Sequence, residues 1–188
     1  MYSDIVILRG LLQGPRHGYE IKKYIARIDG GLLNNNTLYP ALRRFEQRGE
    51  VEKVAEEVSP GRPPRKVYRL TAQGRARLLS LLAVADPLVL MKEEEFQVRV
   101  GLFDLVEPEV RRRIVEARRD CVEHSLALQE ELLPGSQAHP WGMRVLRFNI
   151  ERHRLELAWL DELEAALEET PHDPTGDPTG NPTGNAAG

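Results

Sequence analysis

One cysteine, Cys121, stands in 188 residues. No intrachain disulfide can staple the fold, so burial of a core must hold it, and a reducing cytoplasm is the expected location. No run of 18 apolar residues occurs, so neither a transmembrane helix nor a membrane partner is expected. The opening MYSDIVILRG has no basic segment ahead of its apolar stretch and no small-residue cleavage site, so no signal peptide is expected. The motifs that build enzyme sites are missing too. There is no C-x-x-C or H-E-x-x-H for a metal, no phosphate-cradling glycine loop and no Gly-x-Ser-x-Gly turn. The five histidines are scattered. Cys121 with His124, and Glu151 with His153, are close in sequence but make no metal set. No catalytic residue, metal or cofactor is expected. Cys121 sits within an apolar stripe and reads as a buried, inert thiol.

What is present is a core-forming composition, 41% hydrophobic, and a net charge of -3 that conceals an asymmetry. Residues 1–75 carry 14 Lys and Arg against 8 Asp and Glu, and the remainder 12 against 21. A basic first part joined to an acidic second part points to a polyanion as partner of the first part alone. A chance difference between two solvated surfaces gives the same counts.

Periodicity divides the first part into elements. DIVILRGLL over 4–12 is almost wholly apolar, with Ser3 or Asp4 placed to cap it, and is expected to be a buried helix. Gly14 and Pro15 stop it. A second helix is expected over 17–29, where Ile21, Tyr24, Ile25 and Ile28 share a stripe and Lys22, Lys23 and Arg27 lie off it. Gly30-Gly31 ends it. In the third, Leu38, Ala41, Leu42 and Phe45 form one face, Asn36, Pro40, Arg43 and Gln47 the other, and Gly49 closes. VEKVAEEV over 51–58 and KVYRL over 66–70 read as strands around a Gly- and Pro-rich loop, SPGRPPR. Thr71 caps a fourth helix that runs toward Asp86-Pro87. Three helices, a two-stranded hairpin and a helix is the order of a winged helix-turn-helix. The fold class expected is mainly α: this DNA-binding domain over 1–85, a helical dimerisation and effector domain over 86–170, and a disordered tail over 171–188 with three copies of [DN]PTG.

The third helix has what a base-reading helix needs. One face packs downward, while the other offers donors and acceptors to base edges in the major groove. Asn suits adenine, Arg suits guanine, and a threonine methyl can meet thymine. Asn35, Asn36, Thr37, Tyr39 and Arg43 supply this set near the helix N-terminus, the end that enters the groove. An ordinary solvated face behind a capping asparagine offers the same residues. In GRPPRK, Arg62, Arg65 and Lys66 flank two prolines that stiffen a hairpin tip, so cations would meet phosphate, or an arginine a minor groove, at reduced entropic loss. A merely soluble turn fits that segment as well.

Three segments together, LLQGPRHGYEIKKYI, NNNTLYPALRRFEQRGEV and GRPPRKVYRLTAQGRARL, resemble in order and spacing the conserved blocks of the PadR family of bacterial transcriptional regulators. The likeness spans roughly residues 3–82, while the later helices match only in kind. It implies a winged helix-turn-helix on a helical dimerisation domain, and a repressor that leaves its operator when an effector binds. It makes the helix holding Thr37, Leu38 and Tyr39 the recognition helix and the loop with Gly61, Arg62, Pro63 and Arg65 the wing. It also sets Tyr19 and Lys22 near phosphate. Asn34-Asn35-Asn36 departs from the family's usual pattern there, so operator preference does not carry over. The resemblance puts the helix cap at Asn34, which leaves Pro40 inside the helix. A cap at Thr37 would leave the proline in the first turn, where no donor is needed.

The second part is helical. Residues 88–106 are expected to hold a short helix, and long helices are expected from Pro108 to about Leu133 and from about Pro140 to Glu169. The last has two apolar lines, Leu146, Ile150, Leu157, Leu160 and Leu167 beside Phe148, Leu155, Trp159 and Leu163. That arc is wider than the ~100° one packed face covers. A homodimer through these helices on a double-stranded DNA operator is therefore expected, with half-sites about 34 Å apart. Phe148, His153 and Trp159, with Trp141, could line a pocket for a small aromatic effector at that dimer interface, though simple packing explains them as well. The alternative function is a winged-helix module that docks a protein instead of DNA.

Overall fold

The computed structural model describes residues 1–29, 35–57, 65–133 and 140–169. Helix α1 (Tyr2–Arg9) is shorter than the apolar run, because Leu11 and Leu12 continue in tight turns whose N–H groups donate to Leu8 and Arg9. Gly14 then turns the chain at φ 133°, a conformation costly for any other residue. A two-residue strand β1 (Arg16–His17) follows, then α2 (Gly18–Asp29), α3 (Asn35–Gln47), β2 (Val51–Glu57), β3 (Arg65–Leu70) and α4 (Ala72–Leu82). The sheet is antiparallel in the order β1-β3-β2, with Arg16 opposite Tyr68 and Val51 opposite Leu70. The expected hairpin is thus a three-stranded sheet. A strand of two residues has no alternation to show, so β1 was hidden at the edge of the predicted helix.

Leu38, Leu42 and Phe45 of α3 are fully buried with Ile5, Leu8, Ile21, Ile25 and Leu78. Thr71, at the junction of β3 and α4, ties the start of α4 to the turn ahead of β2. Thr71 Oγ1 accepts the Gly74 N–H at 3.0 Å and points its own hydrogen at the Gly49 carbonyl, 2.6 Å away. Helix α4 there lies so near the strand that a methyl on Gly74 would sit 1.9 Å from the Glu50 carbonyl oxygen. Only glycine fits.

The region expected to hold one short helix divides into α5 (Pro87–Leu90), α6 (Glu93–Val100) and a 3-10 turn (Phe103–Leu105). Asp86 caps α5 through the Leu88 N–H. The three glutamates at 93–95 occupy the first turn of α6, where the helix dipole favours negative charge. Two long antiparallel-connected helices, α7 (Pro108–Leu132) and α8 (Pro140–Glu169), complete the chain. Ile114, Val115 and Val122 of α7 and Leu160 of α8 form a second core with Leu90 and Phe96. Val98, Leu102 and Val106 belong to the first core, so α6 and the segment after it serve both. Among the described residues no helix is long and apolar enough to cross a membrane.

Among the described residues three arginines are buried: Arg99, Arg111 and Arg118. A buried charge survives only when paired and hydrogen-bonded. Arg111 donates to the Val106 carbonyl at 2.8 Å. Arg118 holds Glu156 of α8 at 2.6 Å and the carbonyls of Leu90 and Met91. Arg99 pairs with Glu95 at 2.8 Å. Burial by itself pushes the Glu95 carboxyl up, but the hydrogen bonds from Arg99 and the Tyr2 N–H, with the nearby positive charge, outweigh it and hold it below the ordinary range. The folded chain therefore binds this proton less tightly than the unfolded one. Stability from Glu95 is present above the usual glutamate pKa and is lost as pH falls through the depressed value. Urea midpoints should drop on acidification below about pH 4, and Glu95→Gln should flatten that drop; an unchanged slope in the variant would discount the pair.

Candidate nucleic-acid interface

Helix α3 starts at Asn35, so Thr37 lies within it and the alternative cap at Thr37 does not hold. Asn34 lies outside the described residues. Pro40 is inside the helix, past its first turn, and brings no N–H to the Asn36 carbonyl. Asn36, Thr37, Tyr39, Pro40, Arg43 and Gln47 are exposed along the outer face, above the buried Leu38, Ala41, Leu42 and Phe45. Asn35 is the first residue of that helix. Arg44 leaves the outer face. It pairs with Asp4 of α1 at 2.6 Å and lies over the Phe45 ring, so Asp4 anchors α3.

Tyr39 does more than face outward. A methyl on Gly18 would lie 2.9 Å from its ring, so the Tyr39 side chain rests on the first residue of α2. Gly18 lets the two helices approach, and the HG pair before YEI is the sequence trace of that approach. Beneath, burial pushes the Tyr68 phenol up, aided by Glu46 and by Tyr39. Helix α2 is entered through a cap in which Glu20 accepts the His17 N–H at 2.9 Å. Tyr19 is exposed and stacked on His17.

Lys22 and Lys23 are exposed on α2. Tyr19, Lys23 and Arg27, spaced by four, border an open groove of about 510 Å³ with Arg16 and Tyr24. The Arg16 guanidinium lies 4.9 Å from the Tyr24 ring centre. Sequence reasoning had Tyr19 and Lys23 but not Arg16 and Arg27; the four-residue spacing was the available signal for Arg27, and the unseen β1 concealed Arg16. At the wing, Arg65 opens β3 opposite Glu57, and Lys66 is exposed opposite Glu56. Arg62 lies outside the described residues.

The three effector candidates are not brought together in one chain. Phe148 is 65% exposed. Trp159 packs edge-on against Phe96, with ring centres 5.7 Å apart. His153 is 8% exposed and borders a small cleft of about 190 Å³ with Met91, Glu93, Cys121 and Arg152. The reason is angular: five residues along a helix turn a side chain by about 140°, so 148 and 153 cannot share a face. Burial, then the Arg152 charge, lowers the His153 pKa, which keeps the ring neutral. Its Nδ1 is buried without a hydrogen-bond partner. Burial raises the Cys121 thiol, which rests against the Pro87 carbonyl at 3.5 Å. Trp141 is 70% exposed beneath Arg144.

An amphipathic helix with a polar outer face, seated on a second helix and flanked by a hairpin wing, defines a winged helix-turn-helix protein. The chain belongs to the family described as "Transcriptional regulator PadR-like family", whose model matches residues 7–80. A protein of Lysinibacillus sphaericus is 37% identical over 83 residues, 43% of this chain and 75% of that one. A PadR family transcription regulator from a hypervirulent Clostridium difficile is 34% identical over 42% of this chain and 80% of that one, with a TM-score of 0.35. Bacillus subtilis PadR in complex with operator DNA is 19% identical over 87% of this chain and 98% of that one, with a TM-score of 0.41. As a member of that family the chain is a DNA-binding transcriptional regulator and not an enzyme.

Gly18→Ala should press α3 off α2 through Tyr39. DNA affinity measured by anisotropy should fall about tenfold or more, while α-helical circular dichroism holds. Undiminished affinity would show that the Tyr39 seat is dispensable.

Proposed function

We propose that this regulator is a homodimeric repressor whose α3 helices read operator half-sites, and which an effector acting on α7 and α8 releases from DNA. The carrying observation is the outer face of α3, where Asn36, Thr37, Tyr39 and Arg43 are exposed together over a fully buried stripe. With Asn35 they choose sequence. Tyr19, Lys22, Lys23, Arg62, Arg65 and Lys66 meet phosphate, joined by Arg16 and Arg27 along the α2 flank.

The second copy is argued from α8. Trp141, Val145, Phe148 and Leu155 are 70, 58, 65 and 73% exposed. Their spacing of four, three and seven is that of a coiled-coil seam, with Arg152 in the remaining place. Leu128 and Leu132 of α7 add to the exposed apolar surface. Apolar side chains at seam spacing support a second helix of the same kind, and a two-fold pair places two recognition helices on one duplex.

One set of measurements tests this. Sedimentation should give a dimer at micromolar concentration, and Phe148→Asp with Leu155→Asp a monomer. The logarithm of DNA affinity should fall linearly with that of salt concentration, and Arg62→Ala with Arg65→Ala should lessen the slope by about 2 per chain, equally for all sequences. A stable wild-type monomer, or a salt-independent affinity, overturns the reading.

The effector belongs at the His153 cleft, where an unpartnered ring nitrogen and the Arg152 guanidinium suit a small polar aromatic compound. Binding there should change the emission of Trp159, and His153→Ala should abolish the change. Silence across a broad set of such compounds, in protein that still binds its operator, removes the effector from the proposal.

A further inference from the structure

Helix α6 stands between the part of the chain that reads DNA and the part that pairs. Val98 enters the first core and Phe96 the second. Apolar burial holds such layers together but is not directional, so it has no preferred angle. Hydrogen bonds do. The Arg99 side chain is 0% exposed. It donates to Glu95 in its own helix at 2.8 Å and to the Leu81 carbonyl in α4 at 3.2 Å. Glu95 accepts the Tyr2 N–H of α1 at 2.8 Å. The hydrogen bonds with Leu81 and Tyr2, and the ion pair of Glu95 with the Met1 amino group at 3.3 Å, all run from α6 to the DNA-binding part. On its other flank, Phe96 meets Trp159 and lies 5.6 Å beneath the Arg118 guanidinium, which is fixed to Glu156 of α8. A pair buried this deeply is a weak source of stability, because desolvation offsets the attraction. What it adds is direction.

We propose that Arg99 and Glu95 are positioning residues that set the angle between the recognition helix and the α7–α8 pair, and thereby the half-site spacing the dimer accepts. The proposal rests on the homodimer reading. Neither side chain touches DNA. Their effect falls on how well two half-sites are engaged at once, not on how well one is read. Effective concentration at the second half-site depends on geometry, so a looser α6 tolerates more separations.

The test uses the full chain and DNA carrying two copies of a half-site obtained by selection from random sequence, with separations stepped by one base pair. Two variants are compared with wild type. Glu95→Leu with Arg99→Met replaces the pair with apolar side chains, a change buried pairs often tolerate. Arg99→Lys keeps the charge beside Glu95 but lacks the planar fork needed to hold Leu81 as well. Wild type should discriminate between best and adjacent separations by about tenfold, and the double variant by about twofold, with single half-site affinity unchanged. Arg99→Lys should fall between, and decides the matter if the double variant does not fold. A spacing profile that superimposes on wild type in a folded variant overturns the proposal. So does a loss of single half-site affinity equal to the loss at paired sites, which marks a purely structural role. A wild type with no spacing preference fails the dimer reading first; a preference kept by both variants fails this proposal alone.

Discussion

The polar outer face of α3 depends on the burial of one stripe of that helix. Leu38, Leu42 and Phe45 are fully buried, and at about 1.5–3 kcal/mol each they outweigh the ~3 kcal/mol of a proline inside a helix. That margin explains how Pro40 is carried. It also fixes which way α3 faces, because a helix whose apolar side is committed has no choice about its polar side. Arg44 strengthens the commitment by turning down to Asp4, and Tyr39 by resting on Gly18. Both residues stand among those that a helical wheel assigns to the outer surface or its border, and both are drawn inward by a neighbour far away in sequence.

The same logic recurs in the helical part, with charge in place of hydrocarbon. Arg118 is surrounded by Glu156 and two backbone carbonyls from the end of α5, so α5, α7 and α8 meet at one guanidinium. Arg119 reinforces the α7–α8 contact nearer the surface through Asp161 and Glu164. Exposed pairs of this kind contribute little; the buried ones specify arrangement. On one flank α6 is hydrogen-bonded to α4 through Arg99, and on the other its Phe96 ring rests beneath the Arg118 guanidinium, which gives the two cores a defined relation.

Legibility differed by kind of signal. Periodicity marked α2, α3, α7 and α8 well, because amphipathic stripes such as Ile21, Ile25 and Leu38, Leu42, Phe45 are local patterns. Thr71 was readable as a cap, since the Gly74 N–H it accepts lies three residues on. β1 was not readable, since its partners Val67 and Tyr68 are some fifty residues away and two residues make no pattern. The angles between Phe148, His153 and Trp159 along α8 keep the three from meeting within one chain. Nothing local marks Arg99, Arg111 and Arg118 for burial, since what neutralises each is a carbonyl or carboxylate brought in by folding.

The amino-acid sequence alone determined the winged helix-turn-helix order, the apolar and polar faces of α3, and membership of a regulator family through three spaced blocks. These are properties of short-range spacing, and spacing survives without a fold. Tertiary structure alone decided that Gly18 seats Tyr39, that Arg44 pairs with Asp4 of α1, and that α6 enters two cores and carries a buried ion pair. Each of those needs two segments at one place, and only the packed chain supplies the distance.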